Sequence, residues 1–235
     1  RDALLLDPDR EASLTGDSPL VLVGNPPYSN FGRRTISHWL HGQLRNYRAQ
    51  IGERKNNLRN AFLLFLRLAE SLVALRGRGA LAMVLSTTFL DAVTHTQVRQ
   101  SLLETFDEIR VLRLEAPDEV ANNLFSIRQT TAACLFVRKT IRNSELPAKV
   151  YQATLHGARE QKLDWLATHT ATSTDWRELA LSSDLTSPQR QGWSQSDAIP
   201  KWYSTAPSLP ELFNKYVSGV QTKEDRPFIA RSRAV

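Results

Sequence analysis

The chain has 235 residues, 41% of them hydrophobic, and carries a formal net charge of +6 at pH 7, which is enough for one domain with a well-filled core and part of another. A single cysteine, Cys134, excludes a disulfide framework, and the five histidines lack metal-ligand spacing, so no metal site is predicted. Without a membrane-length apolar run or a signal peptide, the sequence predicts a cytoplasmic protein with no membrane partner, and its positive charge favours a polyanionic one.

The first predicted strand runs through Leu20–Gly24 and ends in a rigid turn, Asn25-Pro26-Pro27-Tyr28. The continuous apolar run within this strand is typical of a strand covered on both faces. The two prolines fix φ and remove two N–H donors, so the turn cannot continue a ladder or start a helix interior. Its carbonyls, the Asn25 amide and the Tyr28 ring form a site suited to holding an exocyclic amine against an aromatic face.

A polar, basic stretch follows from Ser29 to Asn60, and Glu53 is its only acid. Its basic residues, with Phe31, Trp39 and Tyr47 interleaved, are Arg33, Arg34, Arg45, Arg48, Arg54, Lys55 and Arg59. Basic side chains of this kind neutralise nucleic-acid phosphates, whereas the alternative is a solvated charged loop. Contacts with a DNA backbone are predicted for Arg33, Arg34, Arg45, Arg48 and Lys55.

Helices and strands then alternate along the chain. The apolar spacing of Asn60–Arg76 predicts a helix, and the glycines of Gly77-Arg78-Gly79 end it. The following elements are a strand, a helix and a strand, predicted at Ala80–Leu85, Val98–Phe106 and Ile109–Leu114. This order predicts βαβ units and a parallel sheet with helices on its faces.

The remaining half of the chain is more irregular. A polar, turn-rich segment from Glu115 to Gln129 contains one aromatic residue, Phe125, and precedes a strand predicted at Thr130–Arg138. The pattern of Tyr151–His169 indicates the end of a strand followed by a charged helix. Residues 170–206 are rich in Ser, Thr, Pro and Gln, which predicts irregular structure.

Asn-Pro-Pro-Tyr after an apolar strand resembles the catalytic motif of amino-group methyltransferases that use S-adenosylmethionine, chiefly the DNA adenine-N6 enzymes. Together with the basic insertion, Gly77–Ala82 and Leu124–Gln129, it resembles the methylase part of the single-polypeptide type I (type ISP) restriction-modification enzymes. The resemblance implies an α/β fold: a partial doubly wound, Rossmann-like methyltransferase sheet, mostly parallel with a final antiparallel strand. A C-terminal irregular or α-helical extension would follow.

The resemblance also implies residue roles. The side-chain oxygen of Asn25 and the carbonyl of Pro26 would accept hydrogen bonds from the target amine, and Tyr28 completes the catalytic motif. Tyr28 and Phe125 would stack on the target base, and the alternative for Phe125 is that it anchors its loop on the core. Asp2 resembles the acid that contacts the cofactor adenine in this family, and a solvated terminal aspartate is the alternative.

The implied organisation has three parts. Residues 1–140 would be the C-terminal half of an S-adenosylmethionine-dependent methyltransferase domain, residues 141–206 a connecting extension, and residues 207–235 the start of a target-recognition region. The family's glycine-rich cofactor loop is expected upstream of Arg1, so the isolated chain is expected to be an inactive fragment. Helicase and nuclease modules would lie elsewhere on the full-length polypeptide, because no ATPase or nuclease signature is present.

The resemblance implies methyl transfer from S-adenosylmethionine to N6 of a flipped adenine in double-stranded DNA, as part of a restriction-modification system. Two alternatives stay open at this point. The chain could be a truncated, non-catalytic remnant that binds DNA or a partner. It could also be a glutamine-N5 protein methyltransferase, which shares Asn-Pro-Pro-Tyr because it too presents an amide nitrogen.

Overall fold

The structure is a computed structural model that describes residues 3–6, 17–28, 36–47, 60–115, 123–125, 127, 129–141, 146–181, 193, 207 and 209–212. The chain divides into two units, Arg1–Ser194 and Gln195–Val235. Within the described part of the second unit, Leu209–Leu212 forms a short helix of 4 residues. All elements discussed below belong to the first unit.

Helices and strands alternate between residues 61 and 114, as the sequence predicts. In chain order the elements of the first unit are β1 Leu20–Gly24, α1 His38–Gln43, α2 Ala61–Arg76, β2 Gly79–Ser86, α3 Thr88–Asp91, α4 Thr96–Thr105, β3 Glu108–Leu114, β4 Thr131–Arg138, β5 Lys149–Leu155, α5 Arg159–Thr168 and β6 Arg177–Glu178. Short 3-10 helices occupy Ala3–Leu5, Leu44–Tyr47 and Val93–His95. The helix predicted from Val98 begins earlier, at Thr96.

The strands form one 6-stranded sheet in the order β1-β2-β4-β3-β5-β6. β1 pairs with β2 in parallel, and β3 pairs with β5 in parallel. β4 runs antiparallel to both of its neighbours, β2 and β3, while β6 pairs antiparallel with β5. Four strands therefore share one direction, which confirms the predicted fold class of a mostly parallel α/β sheet with an antiparallel strand.

The predicted antiparallel strand is β4, but it is not the last strand of the sheet. β5 pairs with β3 along its length, so the sheet continues beyond residue 140. The division of the chain into domains at residue 140 stays a prediction. A crossover places β4 between two strands that precede it in sequence.

Helices cover both faces of the sheet. On one face, α2 and α4 pack their apolar residues, such as Phe62 and Leu102, against Leu81 of β2 and Phe136 of β4. On the other face, Trp165 of α5 packs with residues of β3 and β5, namely Leu112, Leu114 and Leu155. This three-layer arrangement buries the alternating apolar residues of the central strands, as expected for a doubly wound sheet.

The link from α2 to β2 depends on two glycines. Gly77 ends α2 in the left-handed conformation, with φ 79°, and donates its N–H to the carbonyls of Val73 and Ala74. Gly79 lies so close to β1 that a Cβ there would sit 2.1 Å from the carbonyl oxygen of Leu20. The glycines therefore let the chain reverse and place β2 directly beside β1.

The sequence prediction that β1 is covered on both faces is wrong for the described residues. Val21 and Val23 are 67% and 82% exposed, whereas Leu20 and Leu22 pack against the apolar face of α2. β1 is the edge strand of the sheet, and α5 lies over β3 and β5 on the far side. The apolar run is therefore buried on one face only.

A buried charge network joins Gln43 and Tyr47 to helices α2 and α4. Glu70 of α2 is 0% exposed, and its carboxylate accepts hydrogen bonds from Tyr47 at 2.6 Å, Ser101 at 2.7 Å and Thr105 at 2.8 Å. Arg67 lies 2.8 Å from the same carboxylate and donates to the backbone carbonyl of Gln43 at 2.9 Å. Burial, together with the nearby Glu70 charge, raises the pKa of Tyr47 well above its ordinary value, so its hydroxyl remains a donor.

We expect Glu70→Ala to lower the free energy of unfolding by about 3–5 kcal/mol, because it leaves the Arg67 charge buried without its partner. Urea unfolding followed by circular dichroism measures the change. Glu104, an exposed glutamate on α4, offers the matched control, and Glu104→Ala should change stability by less than about 0.5 kcal/mol. Equal stability of the two variants would contradict the network.

Candidate functional site

The carboxyl ends of the parallel strands bring two segments to one edge of the sheet. β1 ends at Gly24, directly before the Asn25–Tyr28 turn. β4 starts at this same edge, because Thr131 pairs with Ser86 of β2 and with Leu114 of β3. The loop that precedes β4 therefore lies at the edge from which the turn emerges. In open α/β sheets, ligands bind outside this edge.

Tyr28 and Asn25 are joined by a hydrogen bond within the turn. The Tyr28 hydroxyl lies 2.9 Å from Oδ1 of Asn25 and 3.1 Å from the backbone carbonyl of Val84. It has one hydrogen to share between these two acceptors. Asn25 is exposed and Pro26 is buried, and within the described residues nothing donates to the carbonyl of Pro26. The turn thus holds two oxygen acceptors close in sequence to an aromatic ring.

The ionisation of the neighbouring groups is suppressed by burial. Burial, with a smaller contribution from Cys134, raises the pKa of Tyr28 to about 12, so its hydroxyl keeps its proton at neutral pH. Burial also raises the pKa of the Cys134 thiol far above its ordinary value. Cys134 is therefore a neutral core residue and lacks the thiolate that nucleophilic chemistry requires.

The segment before β4 separates an anchor from an exposed ring. Leu124 packs against the apolar cluster of Leu112, Leu114 and Leu155, whereas Phe125 is 36% exposed. Phe125 belongs to none of the core clusters formed by the described residues. The sequence left open whether Phe125 anchors the loop, and in the structure its neighbour Leu124 provides the anchoring contacts.

Hydroxyl groups at the end of β2 fasten this segment to the sheet. Ser86 is 0% exposed, and its Oγ accepts hydrogen bonds from Nε2 of Gln129 at 2.6 Å and from the N–H of Thr88 at 3.3 Å. Its own proton is then directed at Oγ1 of Thr88, 2.9 Å away. The hydroxyl of Thr87 donates to the carbonyl of Thr130 at 3.2 Å.

The structure describes only one of the other predicted site residues, Arg45. Arg45 lies in the 3-10 helix after α1 and is exposed. Asp2, Arg33, Arg34, Arg48 and Lys55 fall outside the described residues, so their roles stay predictions. Among the described residues, no cluster of three His, Cys, Asp or Glu side chains could hold a metal ion. Within the same residues, no helix is long and apolar enough to cross a membrane.

Three residues that fasten the edge were missed by the sequence analysis: Ser86, Asn123 and Gln129. A signal for the first was present, since Ser86-Thr87-Thr88 puts three hydroxyls at the end of an apolar strand. Asn123 lies in a turn-rich segment, where asparagine side chains often bond to the backbone. Nothing in the local sequence pairs Gln129 with Ser86, because the contact depends on the tertiary placement of β4.

An apolar groove of about 310 Å³ lies on the sheet face that α5 partly covers. Residues of β1 to β4 form its floor, and Trp165, His169 and Trp176 close one side. None of the predicted catalytic or stacking residues lines it. The groove is therefore not the predicted site for a target base.

No protein-family model and no curated protein sequence matches the chain. Solved structures with a similar fold include a DrdV–DNA complex, at 20% identity and a TM-score of 0.60, covering 74% of this chain and 18% of that chain. A second is the ATP-dependent Type ISP restriction-modification enzyme LlaBIII bound to DNA, at 21% identity and a TM-score of 0.60, covering 73% and 12%.

A third is a nuclease-deletion mutant of the Type ISP restriction-modification enzyme LlaGI in complex with a DNA substrate mimic. It has 17% identity and a TM-score of 0.59, covering 70% of this chain and 17% of that chain. The chain thus spans less than a fifth of the length of each of these solved chains. At these identities the likeness establishes the fold, which this chain shares with one part of type ISP restriction-modification enzymes.

His95 contacts the start of α3, which follows β2 at the same edge of the sheet. Its Nδ1 lies 3.2 Å from the carbonyl of Thr88, and because a carbonyl only accepts, Nδ1 carries the proton. The ring packs edge-on against Phe62 at 6.1 Å. Burial lowers the pKa of His95 below its ordinary value of 6.5, with a smaller lowering effect from Arg99, so the buried ring is neutral at pH 7.

We expect His95 to make the protein less stable in acid. The unfolded chain binds a proton at this histidine more readily than the folded one, so the free energy of unfolding falls as the pH drops below about 6.5. Urea unfolding across that range should show a weaker pH dependence in His95→Gln, whose amide can still donate to Thr88. Parallel pH profiles for the two proteins would refute this expectation.

Replacing Tyr28 by Phe tests the hydrogen bonds of the turn while keeping the ring. We expect Tyr28→Phe to lower the free energy of unfolding by about 0.5–1.5 kcal/mol, because Val84 and Asn25 both lose a donor. Chemical denaturation gives the value. Tyr151→Phe is the matched control, since the Tyr151 hydroxyl makes no hydrogen bond within the described residues. An equal loss of stability in Tyr151→Phe would show that the hydrogen bonds of the Tyr28 hydroxyl add no stability of their own.

Proposed function

We propose that the chain is the target-base half of a DNA adenine-N6 methyltransferase that belongs to a restriction-modification system. The observation that carries the proposal is the hydrogen-bonded pair of Asn25 and Tyr28 at the carboxyl end of β1. It combines an amide acceptor, a second acceptor at the carbonyl of Pro26, and an aromatic ring in one rigid turn. These are the groups that an exocyclic amine on a flat base requires.

The proposed chemistry is positioning of a poor nucleophile. The N6 lone pair of adenine is delocalised into the ring, and in a duplex the base is out of reach until it is flipped, which costs a few kcal/mol. Oδ1 of Asn25 and the carbonyl of Pro26 would accept hydrogen bonds from the two N6 hydrogens. Those bonds favour electron density on nitrogen and fix its orientation. Tyr28 and Phe125 would stack on the base, each contact contributing roughly 1–3 kcal/mol.

The methyl donor of this proposal is S-adenosylmethionine, which supplies an electrophilic methyl group when bound. The one glycine-rich turn among the described residues, Gly77–Gly79, lies at the start of β2, at the opposite edge from the Asn25–Tyr28 turn, so it does not correspond to the glycine-rich cofactor loop of the family. That loop would come from outside the described residues. The role assigned to the described residues is therefore limited to holding the acceptor base.

Two observations favour DNA over a protein substrate. The solved structures that share the fold include enzymes bound to DNA. The basic stretch after Tyr28, within a chain of net charge +6, would also neutralise phosphates next to the flipped base. A glutamine-N5 methyltransferase has no need of such a stretch. Helicase and nuclease modules on the same full-length polypeptide are part of the proposal, since the chain spans only a fraction of those enzymes.

The test is methyl transfer by the complete protein from labelled S-adenosylmethionine to genomic DNA, with the modified nucleoside identified by mass spectrometry. We expect N6-methyladenine from the wild type. Asn25→Ala should lower the rate at least about 100-fold, as loss of a positioned hydrogen-bonding group does elsewhere. Tyr28→Ala should lower it about 5- to 100-fold through lost stacking.

Glu104→Ala is the control, because Glu104 is exposed near the end of α4, which leads into the start of β3 at the opposite edge of the sheet. It should retain the wild-type rate. Unchanged rates in both Asn25→Ala and Tyr28→Ala would sink the assignment. Methylation of a glutamine-containing protein in place of DNA would replace it with the protein methyltransferase, and absence of S-adenosylmethionine binding by calorimetry would leave the non-catalytic remnant.

A further inference from the structure

We propose that Asn123 is a positioning residue that, with Gln129 and Ser86, holds the Phe125 ring at the carboxyl edge of the sheet for stacking on the target base. This inference rests on the proposed function and assigns new residues to it. It is carried by a continuous set of hydrogen bonds that runs from Phe125 to β2, the strand that also supports Tyr28.

Asn123 closes the turn that carries Phe125. Its side chain is nearly inaccessible, at 3% exposure, and both ends of its amide are used. Oδ1 accepts the backbone N–H of Phe125 at 2.9 Å, and Nδ2 donates to the backbone carbonyl of Gln129 at 3.0 Å. An asparagine that bonds two residues ahead forms a tight local turn. The second bond ties that turn to the last residues before β4.

The turn is asymmetric in a way that suits a stacking residue. Leu124 is fixed on the apolar cluster of β3 and β5, and Nε of Arg159 donates to its carbonyl at 3.4 Å. Phe125 comes next and is 36% exposed, although its backbone is held by Asn123. Ordering an aromatic ring in advance removes part of the entropy lost when a ligand binds. The residues from Asn123 to Phe125 thus combine a hydrogen-bonded backbone with an accessible ring.

Hydrogen bonds also join the residues just before β4 to the end of β2, near the Tyr28 hydroxyl. Gln129 donates from Nε2 to Oγ of Ser86 at 2.6 Å, and the backbone N–H of Thr87 donates to the carbonyl of Thr130 at 3.1 Å. Ser86 follows Val84 by two residues, which is about 7 Å along a strand. The carbonyl of Val84 accepts the Tyr28 hydroxyl. One short length of β2 therefore sets the positions of both proposed stacking residues.

The first measurement is independent of activity. Hydrogen exchange of the complete protein, followed by mass spectrometry, should show faster exchange across residues 123–130 in Asn123→Ala than in the wild type. Asn123→Asp keeps an acceptor for the Phe125 N–H, so it should retain part of the protection. Unchanged exchange in Asn123→Ala would show that the hydrogen bonds from Phe125 to β2 do not hold this loop, whatever reaction the protein catalyses.

The second measurement separates positioning from a general loss of folded enzyme. The target sequence is first read from genomic DNA methylated by the complete protein, and kcat and KM are then measured on that duplex. We expect Asn123→Ala to lower kcat about tenfold, with KM for DNA changed less than about twofold, because phosphate contacts dominate affinity. Asn123→Asp should recover part of kcat.

The same duplex with a mismatch opposite the target adenine provides the discriminating substrate. A mispaired base is easier to flip, so the kcat deficit of Asn123→Ala should shrink to about threefold or less. The control is Val150→Ala, a core substitution in β5 away from the loop, whose deficit should be the same on both substrates.

The outcomes distinguish the two proposals. Faster exchange together with a deficit that the mismatch relieves supports the positioning role. Faster exchange with wild-type kinetics in Asn123→Ala overturns it and leaves DNA methylation standing. A wild-type protein that methylates no DNA overturns the proposed function, and the positioning role with it, while the exchange result still reports whether the hydrogen bonds from Phe125 to β2 hold this loop.

Discussion

The placement of β4 determines what the edge of the sheet can do. β4 runs antiparallel between β2 and β3, so its amino end meets the carboxyl ends of both neighbours. Any loop entering β4 must lie at that edge, where the parallel strands also release their following turns. The Asn25–Tyr28 turn and the Phe125 loop, about a hundred residues apart in sequence, are brought together by this single inversion of strand direction. In an entirely parallel sheet, a loop entering the strand would lie at the opposite edge.

Two polar clusters hold the layers in register around that edge. In the helical layer, the carboxylate of Glu70 gathers donors from α2, α4 and Tyr47, so three segments share one buried charge. At the sheet edge, the hydroxyl of Ser86 performs the same task without charge, linking β2 to Gln129. Apolar packing alone tolerates small shifts between layers, whereas a buried polar group must find its particular partners. The clusters therefore select one arrangement of the loops.

The sequence predicted more of the fold than of the site's support. The helical period of α2 and the glycines at Gly77 and Gly79 gave those elements nearly in full, because local chemistry decides them. The exposure of Val21 and Val23 was not predictable, since an apolar strand looks the same whether one or both faces are covered. The contact of Ser86 with Gln129 was also not predictable, because the sequence around a polar side chain does not identify a hydrogen-bond partner that is distant in sequence.

Under the proposed function, the Tyr28 hydroxyl would let the turn accept an amine without leaving a polar group unpaired. Its single proton faces two acceptors, Asn25 and Val84, and its raised pKa keeps that proton in place at neutral pH. Oδ1 of Asn25 has two lone pairs, so an amine that donates to it would either share the atom with the Tyr28 hydroxyl or displace it. The hydroxyl would keep the carbonyl of Val84, so the exchange leaves every donor satisfied. The Tyr28 hydroxyl therefore donates to the Asn25 oxygen in the free protein and can donate to the Val84 carbonyl when an amine binds.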